Sequence, residues 1–159
     1  MPNKISLTKG KSVFIVDLIL IPIFILVTYS GLKLHIAGDV GNHDIWSSWA
    51  HFHIIVSIIS LIAGWLHIKA HWGWYKGLLK KGLAKKSKVT VALSILFLAL
   101  VITGIILVLF ADGGNSATGL WHYRLGLIMV ILLIVHFVTR FSLLKKGLTR
   151  KKIIVGDKN

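Results

Sequence analysis

The chain has 159 residues, 55% of them hydrophobic, a mean hydropathy of +0.80, no cysteine and a formal net charge of +14. The length suits one domain, and the apolar content excludes an ordinary soluble one. The lack of cysteine excludes disulfides, thiolate zinc sites, iron–sulfur clusters and covalently attached haem. The charge invites a nucleic-acid reading, but Lys and Arg sit mainly in segments flanking apolar runs. That is the pattern of a membrane protein with basic loops on one side, so no nucleic-acid partner is expected.

Four apolar runs are long enough to span a bilayer. The first, residues 13–34, follows Lys4, Lys9 and Lys11 and carries Asp17 and the pair Ser30-Gly31. It is too long for a signal-peptide core and lacks a small-residue cleavage site before the next run, so it reads as a permanent helix. A connection with His35, Asp39, His43 and Asp44 follows, and its histidines read as solvated. The second run, residues 46–70, opens on Trp46 and Trp49 and carries His51, His53, Ser57, Ser60, Gly64, His67 and Lys69. After it come His71, Trp72, Trp74 and Tyr75, then a basic loop at 76–88 with Lys76, Lys80, Lys81, Lys85, Lys86 and Lys88. The third run, residues 89–111, carries Thr103-Gly104 and is followed by Asp112. The fourth, residues 120–141, carries Trp121, His122, Arg124, Gly126, His136 and Arg140, and a basic tail at 145–159 ends the chain.

The basic residues precede the first run, join the second to the third and follow the fourth, whereas the other two connections have almost none. By the positive-inside rule both termini and the 76–88 loop are expected in the cytoplasm of a cell whose inner membrane the chain crosses four times. Trp46, Trp49 and Trp121 then mark the outer interface, and Trp72, Trp74 and Tyr75 the inner one.

The two halves repeat each other. Ser30-Gly31, Asp39 and Gly41-Asn42 recur 73 residues later as Thr103-Gly104, Asp112 and Gly114-Asn115. His53 and His67 recur 69 residues later as His122 and His136, with Ser57 against Gly126, and the string LLKKGL occurs at Leu78 and again at Leu143. The expected fold is therefore an all-α, four-helix transmembrane bundle, up-down-up-down, made of two duplicated helical hairpins.

Histidine is rare inside a membrane span because it must be desolvated and partnered there. Each pair is 14 residues apart, nearly four helical turns, so its members share a face about 21 Å apart along the axis. In an up-down-up-down chain the second and fourth spans run parallel. His53 then meets His122 at one level and His67 meets His136 at the other, as two stacked metal clamps. That arrangement suits two haems, each iron with two imidazole ligands, for outer-sphere electron transfer. Ser57, Ser60 and Gly64 form a small-residue stripe between the histidines of the second span, and Gly126 lies one turn after His122; both would leave slots for flat macrocycles. Arg124 is a candidate for the outer propionates, and Lys69, Arg140 and His71 for the inner ones. His71, one turn after His67, is the alternative ligand at the inner level.

At these residues the chain resembles the four-helix core of di-haem cytochromes b, above all the cytochrome b subunit of quinol–cytochrome c complexes. There two helices each supply a histidine pair with 13 or 14 intervening residues; here both intervals are 13. It also resembles small four-helix cytochrome-b-like membrane proteins of bacteria and archaea, on the strings HIKAHWGW from His67 and WHYRLG from Trp121. The likeness covers roughly residues 13–141. It implies two b haems, an electron-transfer role as the membrane subunit of a larger redox complex, and a link to quinone, to which Asp17 is one candidate contact. The chain departs from the quinol–cytochrome c pattern where paired glycines admit the haem planes. Gly31 and Gly104 are present, but Asp17 and Thr90 stand in the second glycine positions. That family's quinol-oxidation motif is not found, nor is the first-helix histidine used by the cytochrome b subunits of formate dehydrogenase and hydrogenase. Two other classes compete. One is a stand-alone quinone reductase or superoxide-oxidising cytochrome, with Lys33 and Arg124 rimming an exposed haem edge. The other is a histidine-based metal or proton transporter.

Overall fold

The structure, a computed structural model, describes residues 4–82, 87–110 and 116–156, with side-chain surroundings for 12–80, 82, 87–110 and 116–142. Among the described residues there are only helices: α1 Lys4–Val40, α2 His43–Ala70, α3 Trp72–Lys81, α4 Lys88–Phe110 and α5 Ala117–Gly156. Four of them contain segments long and apolar enough to cross a membrane: Ser12–Val40, His43–Ala70, Lys88–Phe110 and Ala117–Ser142. The fold class read from the sequence stands. The helices run further than the apolar runs suggested, because polar and basic residues at the ends continue the helical backbone.

The molecule is apolar on the outside. Its buried apolar side chains among the described residues are Ala37, Val56, Leu93 and Met129, and its one fully buried polar side chain is Ser30. Residues such as Ile25, Ile55, Ile62, Ile95, Leu98, Ile131 and Ile134 face outward and are more than half or nearly half exposed. In water such a surface would aggregate; in a bilayer it is the ordinary lipid-facing coat. The chain is a multi-pass membrane protein by this inversion as well as by helix length.

The turn of the first hairpin lies among the described residues. Between α1 and α2, Gly41 takes φ +73°, a left-handed conformation that favours glycine. Asn42 then caps α2, its Oδ1 accepting from the Ile45 amide at 3.1 Å. The matching Gly114-Asn115 lies outside the described residues. At the start of α5, Ser116 Oγ accepts from the Gly119 amide at 3.1 Å.

Helix α3 corrects the expected loop, since residues 76–81 of it are helical. Its ten residues are amphipathic rather than apolar, so no hydropathy window detects them. Trp72 and Leu79 are exposed. Tyr75 reaches α4, where its hydroxyl lies 2.9 Å from Ser94 Oγ. Ser94 gives its own proton to the Thr90 carbonyl, so Tyr75 is the donor. Gly82, at φ +71°, ends the helix.

Helix α1 packs along α2, and α4 along α5; between the hairpins the main backbone approach is α1 against α5. The two helices that carry the four paired histidines, α2 and α5, do not run in close backbone contact. They nevertheless present His53 and His122 to each other across the gap.

Candidate metal centre

His53 projects from α2 toward α1. Its Nδ1 lies 2.8 Å from Ser30 Oγ. The single Ser30 proton is already given to the Val27 carbonyl at 2.9 Å, so Ser30 accepts and His53 Nδ1–H donates. Neutral imidazole has one proton, which leaves the Nε2 lone pair of His53 free. The second hairpin repeats this in detail. Thr103 Oγ1 gives its proton to the Ala99 carbonyl at 2.8 Å, or to that of Leu100 at 3.2 Å. It therefore accepts from His122 Nδ1–H at 2.7 Å. Hydrogen-bonded Nδ1 with free Nε2 is how a protein orients a metal-ligating histidine.

The His53 and His122 ring centroids are 6.4 Å apart, with planes at 83°. Two imidazoles on opposite sides of one metal, with metal–nitrogen bonds of about 2 Å, have centroids roughly 6.3 Å apart. Gly31 and Gly104 explain how the rings sit so close to the neighbouring helix. A Cβ at Gly31 would lie 3.2 Å from His53 Cε1, and one at Gly104 would lie 3.4 Å from His122 Cε1. A methyl at Gly31 would crowd the His53 ring, whereas one at Gly104 would just touch the His122 ring.

The other pair lies at the basic end of the bundle. His67 Nδ1 is 2.9 Å from Asp17 Oδ1. His71 Nε2 lies 3.1 Å from Asp17 Oδ1 and 3.3 Å from Oδ2. A carboxylate accepts, so both histidines donate, and His67 is left with a free Nε2. His71 turns Nε2, the nitrogen that His67 keeps free, onto Asp17, which favours His67 over His71 as the ligand at this level. Asp17, His67 and His71 are also the two-histidine, one-carboxylate set that some metal ions take, but hydrogen bonds account for their present separations. His136, on α5, lies within electrostatic reach of His67, His71, Asp17 and Arg140. With His53 against His122, this makes α2 and α5 parallel.

Thr90 completes the pattern. It stands 73 residues after Asp17, the offset that also relates Thr103 to Ser30. Its hydroxyl oxygen is buried and, among the described residues, has no hydrogen-bond partner. Among the described residues His136, the histidine of its own hairpin at this level, makes no side-chain hydrogen bond, whereas His53, His67 and His122 each make one. Each paired histidine thus has a polar residue at the matching place on the preceding long helix: Ser30, Asp17, Thr103 and Thr90. An orphaned buried hydroxyl costs free energy, and Thr90 is the position that the repeat sets opposite His136. The separation of His53 and His122 fits one bis-imidazole centre, and His67 and His136 lie within electrostatic reach of each other at the basic end.

Several other sequence candidates find different surroundings. Gly64 does not open a slot, because a Cβ there would lie 2.8 Å from Phe97 Cζ; this glycine admits an aromatic ring from α4. Gly126 has open space within 4 Å of its Cβ position. Ser57 is half-buried. Arg124 is exposed, with its guanidinium 5.6 Å from the Trp121 ring, and Lys69 similarly covers Trp65 at 5.0 Å. Both are the interfacial snorkelling of long basic side chains over an aromatic belt. Arg140 is exposed beside His136. His35 is not in a solvated connection. It lies in α1, half-buried, stacked on Tyr123 at 3.9 Å. His43 lies beside Trp46, and His51 donates to the Ser47 carbonyl at 2.8 Å on the exposed face of α2.

The sequence reading missed the roles of Ser30 and Thr103 and the buried, unpartnered hydroxyl of Thr90, and it named no partner for Asp17. The signal was available in the 73-residue repeat, which sets Ser30 against Thr103 and Asp17 against Thr90. No protein-family model, curated protein or solved structure matches the chain.

Proposed function

We propose that the chain is a di-haem b-type cytochrome that passes electrons across a membrane. His53 and His122 would hold one haem near the hairpin turns, and His67 and His136 the other near the basic end. The observation that carries this reading is the matched pair of hydroxyl-anchored imidazoles. Each has its Nε2 free, and their centroids are separated as two ligands of one metal would be. Bis-imidazole haem iron has no open coordination position and supplies one-electron transfer. What the chain's own residues do is hold the ligands. Ser30, Thr103 and Asp17 fix ring orientation, and Gly31 and Gly104 let the outer imidazoles lie against α1 and α4. The apolar helices exclude water from the path between the sites.

Under this reading the basic end is cytoplasmic, and the chain sits in the cell's inner membrane. Electron donor and acceptor are other molecules, redox partner subunits or a quinone, that meet it at its two faces. The test is transport. Purified haem-loaded protein is reconstituted into vesicles holding ferricyanide, with an ionophore to dissipate charge, and dithionite is added outside. Trapped ferricyanide is expected to be reduced at a rate that depends on the protein. Vesicles holding haem-loaded protein that reduce no faster than empty ones would overturn the proposal.

A further inference from the structure

The partners of the paired histidines are not equal. His53 and His122 each donate to a neutral hydroxyl, and the residue at the matching position for His136 is another hydroxyl, Thr90. Only His67 donates to a carboxylate, at 2.9 Å. In the duplicated hairpins, Asp17 is thus the one charged member of a set of four positions. It is also the only carboxylate within the apolar part of any span.

We infer that Asp17 is a positioning residue that makes the basic-end site the lower-potential of the two, so that electrons run downhill from the basic end to the turn end. This inference rests on the di-haem reading above. The physical reason has two parts. A carboxylate that accepts the Nδ1 proton raises the basicity of the ligating nitrogen. A fixed negative charge at the edge of a poorly polarisable interior also favours the oxidised metal, which carries one more positive charge. A hydroxyl does the first weakly and the second not at all. In the resulting step one electron leaves the basic-end site, which is oxidised, and enters the turn-end site, which is reduced. No bond forms or breaks and no proton is required. His71 also donates to Asp17, at 3.1 Å, and so fixes the carboxylate against His67.

The experiment is an optical redox titration of purified, haem-loaded protein, followed for each site separately. His122→Ala and His136→Ala variants, each lacking one site, assign the two potentials. In the wild type the site that survives in His122→Ala is expected to have the lower potential. Asp17→Asn keeps an oxygen acceptor for His67 but removes the charge. It is expected to raise that site's affinity for an electron at least tenfold, about 59 mV for a one-electron couple, and to leave the other site nearly unchanged. Asp17→Glu keeps the charge and is expected to stay closer to wild type than Asp17→Asn. Ser30→Ala, a neutral change at the other site, is expected to shift its own potential by less than Asp17→Asn shifts the first. A wild type in which the basic-end site has the higher potential overturns the inference. So does an Asp17→Asn protein with two haems and unchanged potentials, and in both cases the di-haem reading stands. If Asp17→Asn fails to hold its haem, the wild-type order and the Asp17→Glu value still decide. A wild type without haem removes both readings together.

Discussion

His122→Ala is expected to cut the haem content of the purified chain from two to one, and His136→Ala to do the same at the other level. Each variant should retain the site it leaves untouched, because the levels are about 21 Å apart along the helices. Loss of an oriented second-shell partner already lowers metal affinity by about 10–100-fold, and loss of a ligand should exceed that. Haem content per chain, measured after washing in detergent, reads the effect. The double variant should bind none. If His122→Ala keeps both haems with unchanged low-spin spectra, then His122 is not a ligand and the His53–His122 pair is a packing contact.

Gly64→Leu is expected to destabilise the bundle by about 1–3 kcal/mol, the usual cost of forcing extra atoms into a filled space. Even the first added carbon would lie 2.8 Å from the Phe97 ring. Thermal unfolding in detergent should show the loss as a lower Tm. Pairing the change with Phe97→Ala should recover part of it, because the two side chains compete for one volume. An unchanged Tm in Gly64→Leu would mean that Phe97 moves aside at no cost. The same experiment separates two reasons for a small residue beside a cofactor. A glycine kept for a haem slot would change spectra when enlarged, whereas one kept for Phe97 changes stability.

Much of the architecture was legible in the chain before its structure. Spans follow from length and apolarity, because a helix in lipid must satisfy its own backbone and show hydrocarbon outward. The histidine frame follows from a 14-residue interval repeated on two helices. Helix α3 was not legible, since its ten residues mix Trp, Gly, Leu and Lys and give no apolar run. The ring nitrogens were not legible either. Which nitrogen of His53 is free depends on Ser30, 23 residues away on another helix, and on Ser30 spending its proton on Val27. Asp17 is read in the same way. Alone in a span it is an anomaly, and its meaning comes from His67 and His71, 50 and 54 residues further along. Gly64 shows the opposite failure. It lies on the small-residue stripe read for a macrocycle, but the neighbour it accommodates is a phenylalanine of α4, and no intrahelical pattern carries that information.

The repeat also shows what each half keeps and what it changes. Ser30 and Thr103 differ by a methyl and do the same job. Asp17 and Thr90 occupy one structural position and differ by a charge. Two identical sites would have no driving force between them; the Asp17 carboxylate, with His71 on it and Arg140 beside His136, makes the basic end chemically distinct from the turn end.

The measurement that bears most directly on the account is the reduced-minus-oxidised optical spectrum of the detergent-purified protein, made in cells with ample haem, together with a pyridine haemochrome count. The account predicts two low-spin b haems per chain. Protein that folds, spans the membrane and carries no haem would contradict it, and the four histidines, with the hydroxyl and carboxylate partners of three of them, would then be a packing or transport network.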